Sequence, residues 1–144
     1  MTSRPQQPPP SQSAPAFAYP DVDQTVAFHA ALLERLALGE PGEVDRNRLK
    51  STLDRAINAA RDQKGDILWL ASYLMFELVR GKPFAKANTQ TGVALTLAFL
   101  QRNGIMVTVP DEEIAGVGVA ITSGGIYVAM LEMWLRDSVR RPPQ

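Results

Sequence analysis

The apolar residues of this chain recur at spacings of three and four from residue 21 onward, which is the period of an α-helix. Breaks that contain glycine and proline separate the helical segments, as in "GEPG" at 39–42 and "SGG" at 123–125. One stretch, "IMVTVP" at 105–110, has the character of extended chain, but a single short segment makes no sheet. The pattern therefore predicts one all-α domain of six helices, with no internal repeat.

The central segment, "GDILWLASYLMFELVRG" at 65–81, is apolar nearly all round, so we expect it in the middle of the bundle. Asp66 can cap its start, and Gly81 can end it. In the last segment, at 126–141, four residues share one apolar stripe, and we interpret its methionines as core or groove-lining residues. Its members are Ile126, Met130, Met133 and Trp134.

The first twenty residues, "MTSRPQQPPPSQSAPAFAYP", are mostly proline, glutamine and serine and cannot bury enough surface to offset the entropy of ordering. We therefore predict a disordered tail at 1–20 and a helical domain at 21–144. Prolines interrupt the place where a secretory signal would need an apolar run, and no stretch has the roughly 20 apolar residues that span a bilayer. A cytoplasmic protein with no membrane partner is expected.

Composition removes several classes of function. The chain has no cysteine, which excludes disulfides, thiolate nucleophiles and zinc sites of the cysteine type. Fifteen basic and fifteen acidic residues cancel, so a nucleic-acid partner is not expected. His29 is the sole histidine and has no partner for a triad, so we interpret it as a partly buried or surface imidazole rather than a catalytic one.

The stretch "RGKPFAKANTQTG" at 80–92 is a loop that leads into a helix N-terminus. Such a terminus presents unpaired N–H groups and a partial positive charge, which together attract anions. Arg80, Lys82 and Lys86 would strengthen that attraction. The alternative is an ordinary connector with its lysines in solvent.

The longer stretch "ASYLMFELVRGKPFAKANTQTGVALTLAFLQRNGI" at 71–105 resembles the central helix, loop and helix of the Fic/Doc family, most closely the death-on-curing (Doc) toxins. The family loop reads His-x-Phe-x-Asp/Glu-Ala/Gly-Asn-Lys/Gly-Arg-Thr. Further on, "GVAITSGGI" at 118–126 is similar to the Doc stretch before the last helix. The resemblance covers about residues 45–140, and the matching positions fall in register without a gap: Arg80, Gly81, Phe84, Ala87, Asn88, Thr91 and "FLQRNG" at 99–104.

This resemblance implies a Fic/Doc-like bundle. It also implies the family activity, transfer of phosphate or a nucleotide group from ATP or another nucleoside triphosphate to a protein hydroxyl. This chain departs from the family pattern at the loop positions that carry out the chemistry. Lys82 stands where the family has the histidine that accepts the proton, and Lys86 stands where an acidic residue holds magnesium.

Two further replacements concern the phosphates. Thr89 and Gln90 replace the family's lysine and arginine, whereas Phe84, the loop anchor, and Asn88, which holds the phosphate-binding turn, are retained. By the resemblance, Lys82 occupies the catalytic position. The phosphate-binding residues that it implies are Gly81, Lys86, Asn88, Thr89 and Gln90.

Because magnesium requires hard oxygen ligands and the loop contains no carboxylate, the sequence predicts no metal site. We therefore interpret the chain as a Doc-like toxin relative with a degenerate, inactive loop. Two alternatives stay open: a non-enzymatic phosphate- or protein-binding module on the same scaffold, and an active enzyme in which Lys82 and Lys86 take altered roles. Whether the chain is an enzyme is left open by the sequence.

The resemblance also implies protein partners. Doc-like toxins have a groove in which a segment of an antitoxin folds as a helix, and their targets are proteins such as a translation factor. Aromatic residues that could line such a groove are Tyr73, Phe76, Tyr127 and Trp134. Core packing is the alternative role for each of them.

Overall fold

The computed structural model describes residues 17–61 and 66–140, so residues 1–16 of the tail predicted at 1–20 lie outside the described residues. Six α-helices follow one another along the chain: α1 (Val22–Arg35), α2 (Arg46–Arg61), α3 (Ile67–Gly81), α4 (Asn88–Arg102), α5 (Asp111–Thr122) and α6 (Val128–Arg140). Within the described ranges the only β-type pairing is one isolated antiparallel bridge between Val44 and Phe84. The prediction of an all-α, six-helix domain is confirmed.

Helix α3 lies at the centre and contacts α2, α4, α5 and α6. Its start is capped as predicted, because the Asp66 carboxylate accepts hydrogen bonds from the backbone N–H groups of Leu68 and Trp69. The end of α3 differs from the prediction that Gly81 stops the helix. Gly81 remains helical, and a Cβ there would lie 2.8 Å from Thr52 Oγ1 of α2, so glycine is required for the close approach of the two helices. The left-handed residue that stops the helix is Lys82.

The two methionines of the apolar stripe of α6 lie outside the core. Met130 and Met133 are 47% and 63% exposed, whereas Leu131 and Leu135 are fully buried. The helix has one clearly apolar side, but that side is centred on Leu131 and Leu135 rather than on the methionines. Glu132 is also buried, beside Arg136, which pairs with both Glu132 and Asp66. The pair between Arg136 and Asp66 joins α6 to the start of α3.

Residues 17–20, which the sequence pattern assigned to the tail, lie against the helical domain. The Tyr19 hydroxyl donates a 2.7 Å hydrogen bond to the Leu53 carbonyl, and its ring meets Phe99 edge to face. The Ala18 N–H donates to Asn103. Two aromatic side chains, Phe17 and Tyr19, give this short segment apolar area to bury, which the Pro/Gln/Ser stretch before it does not have. No helix in the described ranges is both long and apolar enough to cross a membrane.

Candidate functional site

The loop between α3 and α4 runs from Lys82 to Ala87 and is closed by the first residue of α4. The Asn88 carboxamide makes two hydrogen bonds to the backbone of Phe84: its Oδ1 accepts from the N–H at 3.0 Å, and its Nδ2 donates to the carbonyl at 2.9 Å. The Phe84 side chain is buried. The two loop residues that match the family pattern and were expected to hold its shape therefore act on each other.

His29 of α1 lies directly beneath this loop and is fully buried. Its ring stacks on Phe84, with centroids 3.9 Å apart and planes 9° from parallel, and its Nε2 lies 3.0 Å from the Lys86 carbonyl oxygen. Because a carbonyl can only accept, Nε2 is the protonated nitrogen. Nδ1 is buried with no hydrogen-bond partner in the described part of the chain. Sequence reasoning missed this contact, since residues 29 and 86 are far apart in the chain and no local pattern connects them.

The connection between α1 and α2 covers the outer side of the loop. The Asp45 N–H donates to the Pro83 carbonyl at 2.9 Å, next to the bridge between Val44 and Phe84. Lys86 Nζ donates to the Leu38 carbonyl at 3.1 Å. The lysine at the family's acidic position is thus bonded to the α1–α2 connection.

The start of α4 is open. Its N-cap residue, Ala87, is left-handed (φ 60°, ψ 34°), and no side chain caps the helix there. The first intrahelical bond joins the Thr91 N–H to the Ala87 carbonyl, so the N–H groups before it have no helical partner. A left-handed residue followed by a right-handed one makes successive N–H groups converge, in the arrangement called a nest, which binds anions. The helix dipole adds partial positive charge.

The residues predicted to bind phosphate lie in different surroundings. Asn88, Thr89 and Gln90 form the first turn of α4. Thr89 packs its methyl group on α5, where a Cβ on Gly118 would come within 2.4 Å of Thr89 Cγ2. Gln90 is exposed. Gly81 and Lys86 stand apart from this turn, because Gly81 packs on α2 and the Lys86 ammonium bonds to Leu38.

Lys82, at the family's histidine position, is exposed and left-handed (φ 49°, ψ 57°). That conformation costs a residue with a side chain about 1–2 kcal/mol. Lys82 lines an open cleft of about 430 Å³ together with Glu43, Asp45 and Arg48. The Asp45 carboxylate in this cleft accepts a hydrogen bond from the Arg48 N–H at the start of α2.

The donor set of the loop does not fit the magnesium ion that the family resemblance implies. The position of the family's carboxylate holds Lys86, whose ammonium group has three donors and no acceptor. Across the described ranges, no group of three or more histidine, aspartate or glutamate side chains is placed to hold a metal ion. The resemblance and the structure therefore disagree about a metal.

Comparison with known proteins bears on this geometry. No family model matches the chain. The chain is similar to the protein kinase Doc of Escherichia phage P1. The two sequences are 29% identical over 115 residues, which are 79% of this chain and 90% of Doc. The likeness to Doc thus extends far beyond the loop and agrees with the Doc-like resemblance of the sequence.

Proposed function

We propose that this chain belongs to the Fic/Doc family as a Doc-like toxin relative. In this proposal its loop binds a phosphate group at the start of α4 and has lost metal-dependent transfer. The observation that carries the proposal is the loop itself: Asn88 closes it on Phe84 and leaves the start of α4 uncapped, while residue 86 is a lysine bonded to the Leu38 carbonyl.

Phosphate binding is supported by backbone rather than by side chains. Three features favour an anion at the start of α4: the N–H groups of its first turn, the helix dipole and the left-handed Ala87. These groups do not depend on the residue types at positions 89 and 90, so the replacement of the family's lysine and arginine leaves them in place. The phosphates of ATP or another nucleoside triphosphate are the ligands of this class that the likeness to a protein kinase favours.

Loss of transfer is supported by two missing groups. Phosphoryl transfer relies on positioning and on metal ions that neutralise charge on the transferred group. The loop offers no carboxylate for such an ion. At the family's base position, the Lys82 ammonium is a donor without a lone pair to accept a proton.

The test is a calorimetric titration of the purified chain with inorganic phosphate and with ATP, each with and without magnesium. We expect binding that does not require magnesium. Gln90→Glu places a negative charge at the start of α4 and should weaken phosphate binding about tenfold or more, because like charges near a protein surface repel by a few kcal/mol at close range.

Gln101→Glu is the matched control, since it makes the same change at an exposed position near the other end of the same helix. It should leave the phosphate affinity unchanged. Absence of phosphate binding by the wild type, or equal weakening by both variants, would contradict the proposal.

A second candidate function, protein binding, is favoured by the outer face of α6. Tyr127, Met130 and Met133 are 69%, 47% and 63% exposed. Of the four aromatic residues considered for either a partner groove or the core, only Tyr127 is exposed, while Tyr73, Phe76 and Trp134 are half-buried. An antitoxin-like helix that binds this face should lose affinity when Met133→Glu is introduced, and Asp137→Glu, at an exposed position on the same helix, should have no effect.

A further inference from the structure

We propose that His29 is a positioning residue. By binding the Lys86 carbonyl beneath the loop, it turns the peptide between Lys86 and Ala87 so that the Ala87 N–H faces the phosphate site at the start of α4. This inference rests on the proposed function for its consequence, phosphate affinity. Its structural part concerns only the loop and can be tested without a ligand.

The orientation follows from the planarity of the peptide. In a trans peptide the C=O and the following N–H point in opposite directions. The Lys86 carbonyl points at His29 Nε2, 3.0 Å away in the buried interior. The Ala87 N–H therefore points away from His29, to the same end of α4 that presents the open N–H groups of its first turn.

The Lys86–Ala87 peptide has a reason to turn the other way when His29 is absent. Ala87 is left-handed, which is unfavourable for a residue with a Cβ. A flip of the peptide would relieve that strain by moving the φ angle of Ala87 to a negative value. It would also point the Lys86 carbonyl oxygen at the phosphate site, where its partial negative charge repels an anion. The His29 hydrogen bond opposes this flip.

His29 can hold the peptide because its ring is itself fixed. It stacks on Phe84, and Phe84 is bonded through its backbone to Asn88. The same ring thus contacts both sides of the loop, the aromatic side chain before the turn and the carbonyl after it. Since Nε2 is the donor and Nδ1 has no hydrogen-bond partner in the described residues, the geometry requires the tautomer with the proton on Nε2.

Two substitutions separate the hydrogen bond from the ring. His29→Phe keeps an aromatic ring against Phe84 and removes the donor. His29→Gln removes the ring and keeps an amide N–H at about the distance of Nε2. We expect His29→Phe to move the φ angle of Ala87 to negative values and to weaken binding of inorganic phosphate about tenfold or more, the effect of losing one hydrogen bond to a charged group. His29→Gln should keep the positive φ and bind within about threefold of the wild type.

Nuclear magnetic resonance supplies the readouts. Long-range ¹H–¹⁵N correlations identify the protonated nitrogen of His29, and the coupling between the amide and α protons of Ala87, with the intraresidue proton distance, reports the sign of φ. Thermal unfolding shows that each variant is folded. The wild-type tautomer is measured whatever the variants do, so it decides the inference even if a variant does not fold.

The outcomes separate the two proposals. A proton on Nδ1 of the wild-type His29, or a positive φ at Ala87 that persists in folded His29→Phe, would overturn the positioning role whether or not phosphate binds. A wild type that shows the Nε2 tautomer and the flip in His29→Phe, but no affinity for phosphate, would support the positioning role and overturn the proposed function. Rescue by His29→Gln supports a role that acts through the donor rather than through filling of space.

Discussion

At the scale of single residues, the contact between Thr89 and Gly118 gives a sharp test of how α4 packs on α5. A Cβ at position 118 would lie 2.4 Å from Thr89 Cγ2. Alanine is favoured over glycine within a helix by about 1 kcal/mol, but overpacking costs about 1–3 kcal/mol. We expect the sum of the two effects in Gly118→Ala to lower the free energy of unfolding by up to about 2 kcal/mol, as measured by urea denaturation.

The matched control lies in the same helix. A Cβ on Gly116 would meet nothing within 4 Å, so Gly116→Ala should stabilise the protein by about 0.5–1 kcal/mol. In a Thr89→Ser background, which removes the clashing methyl, Gly118→Ala should stabilise by a similar amount. If Gly118→Ala stabilised the protein with Thr89 present, the described packing of Thr89 would be wrong.

Tyr19 should make stability depend on alkaline pH. Burial, with additional effects from Asp54 and Glu77, raises the pKa of the Tyr19 hydroxyl, which also donates to the Leu53 carbonyl. In the unfolded chain the phenol ionises near pH 10. The contribution of the protonated folded form is therefore fully present below about pH 10 and is lost as pH rises above that value.

Urea unfolding of the wild type and of Tyr19→Phe at several pH values up to about 11 checks this sign. The stability difference between the two proteins should be constant at neutral pH and should shift in favour of Tyr19→Phe above about pH 10. Tyr127→Phe, at a residue that is 69% exposed, is the control and should follow the wild type. A difference that stayed constant over the whole range would count against the burial of Tyr19.

At the scale of elements, Asp66 joins the start of α3 to the side of α6. One carboxylate oxygen caps α3, and the other lies 3.2 Å from Arg136. Asp66→Ala removes both contacts and should lower the free energy of unfolding by about 1–2 kcal/mol, as loss of a cap typically does. Asp66→Asn keeps the capping oxygen and should cost less than half as much, because a partly exposed ion pair contributes about 0–1 kcal/mol. Equal losses in the two variants would mean that the cap is not what Asp66 contributes.

The same elements show what the sequence could predict. Helix ends were predictable where a local signal marks them, as Asp66 does for α3 and as the acidic run at 111–113 does for α5. The inner face of α6 is centred on Leu131 and Leu135, which the helical period contains, but the stripe predicted from the sequence included Met130 and Met133 instead. Residues 17–20 were assigned to the tail because they follow a long Pro/Gln/Ser stretch, and the residues that they contact are all distant in sequence.

At the scale of the whole molecule, the site combines a local pattern with contacts that no local pattern contains. Phe84 and Asn88 match the family loop pattern, from which we expected them to hold the loop conformation. In the structure the Asn88 side chain is hydrogen-bonded to the Phe84 backbone. Burial of His29 beneath the loop and the bond from Lys86 to Leu38 depend on how α1 and the α1–α2 connection lie across the bundle. Those contacts required the structure.

The central claim is that a Doc-like scaffold here carries a loop that has lost transfer chemistry. The most direct measurement incubates the protein with a bacterial lysate, magnesium and ATP labelled on the γ-phosphate. It compares the wild type with the variant that combines Lys82→His, Lys86→Asp, Thr89→Lys and Gln90→Arg. We predict no transfer of label to protein by the wild type and clear transfer by the variant. Transfer by the wild type that Lys82→Ala abolishes would contradict the account, and so would a folded combined variant that remains inactive.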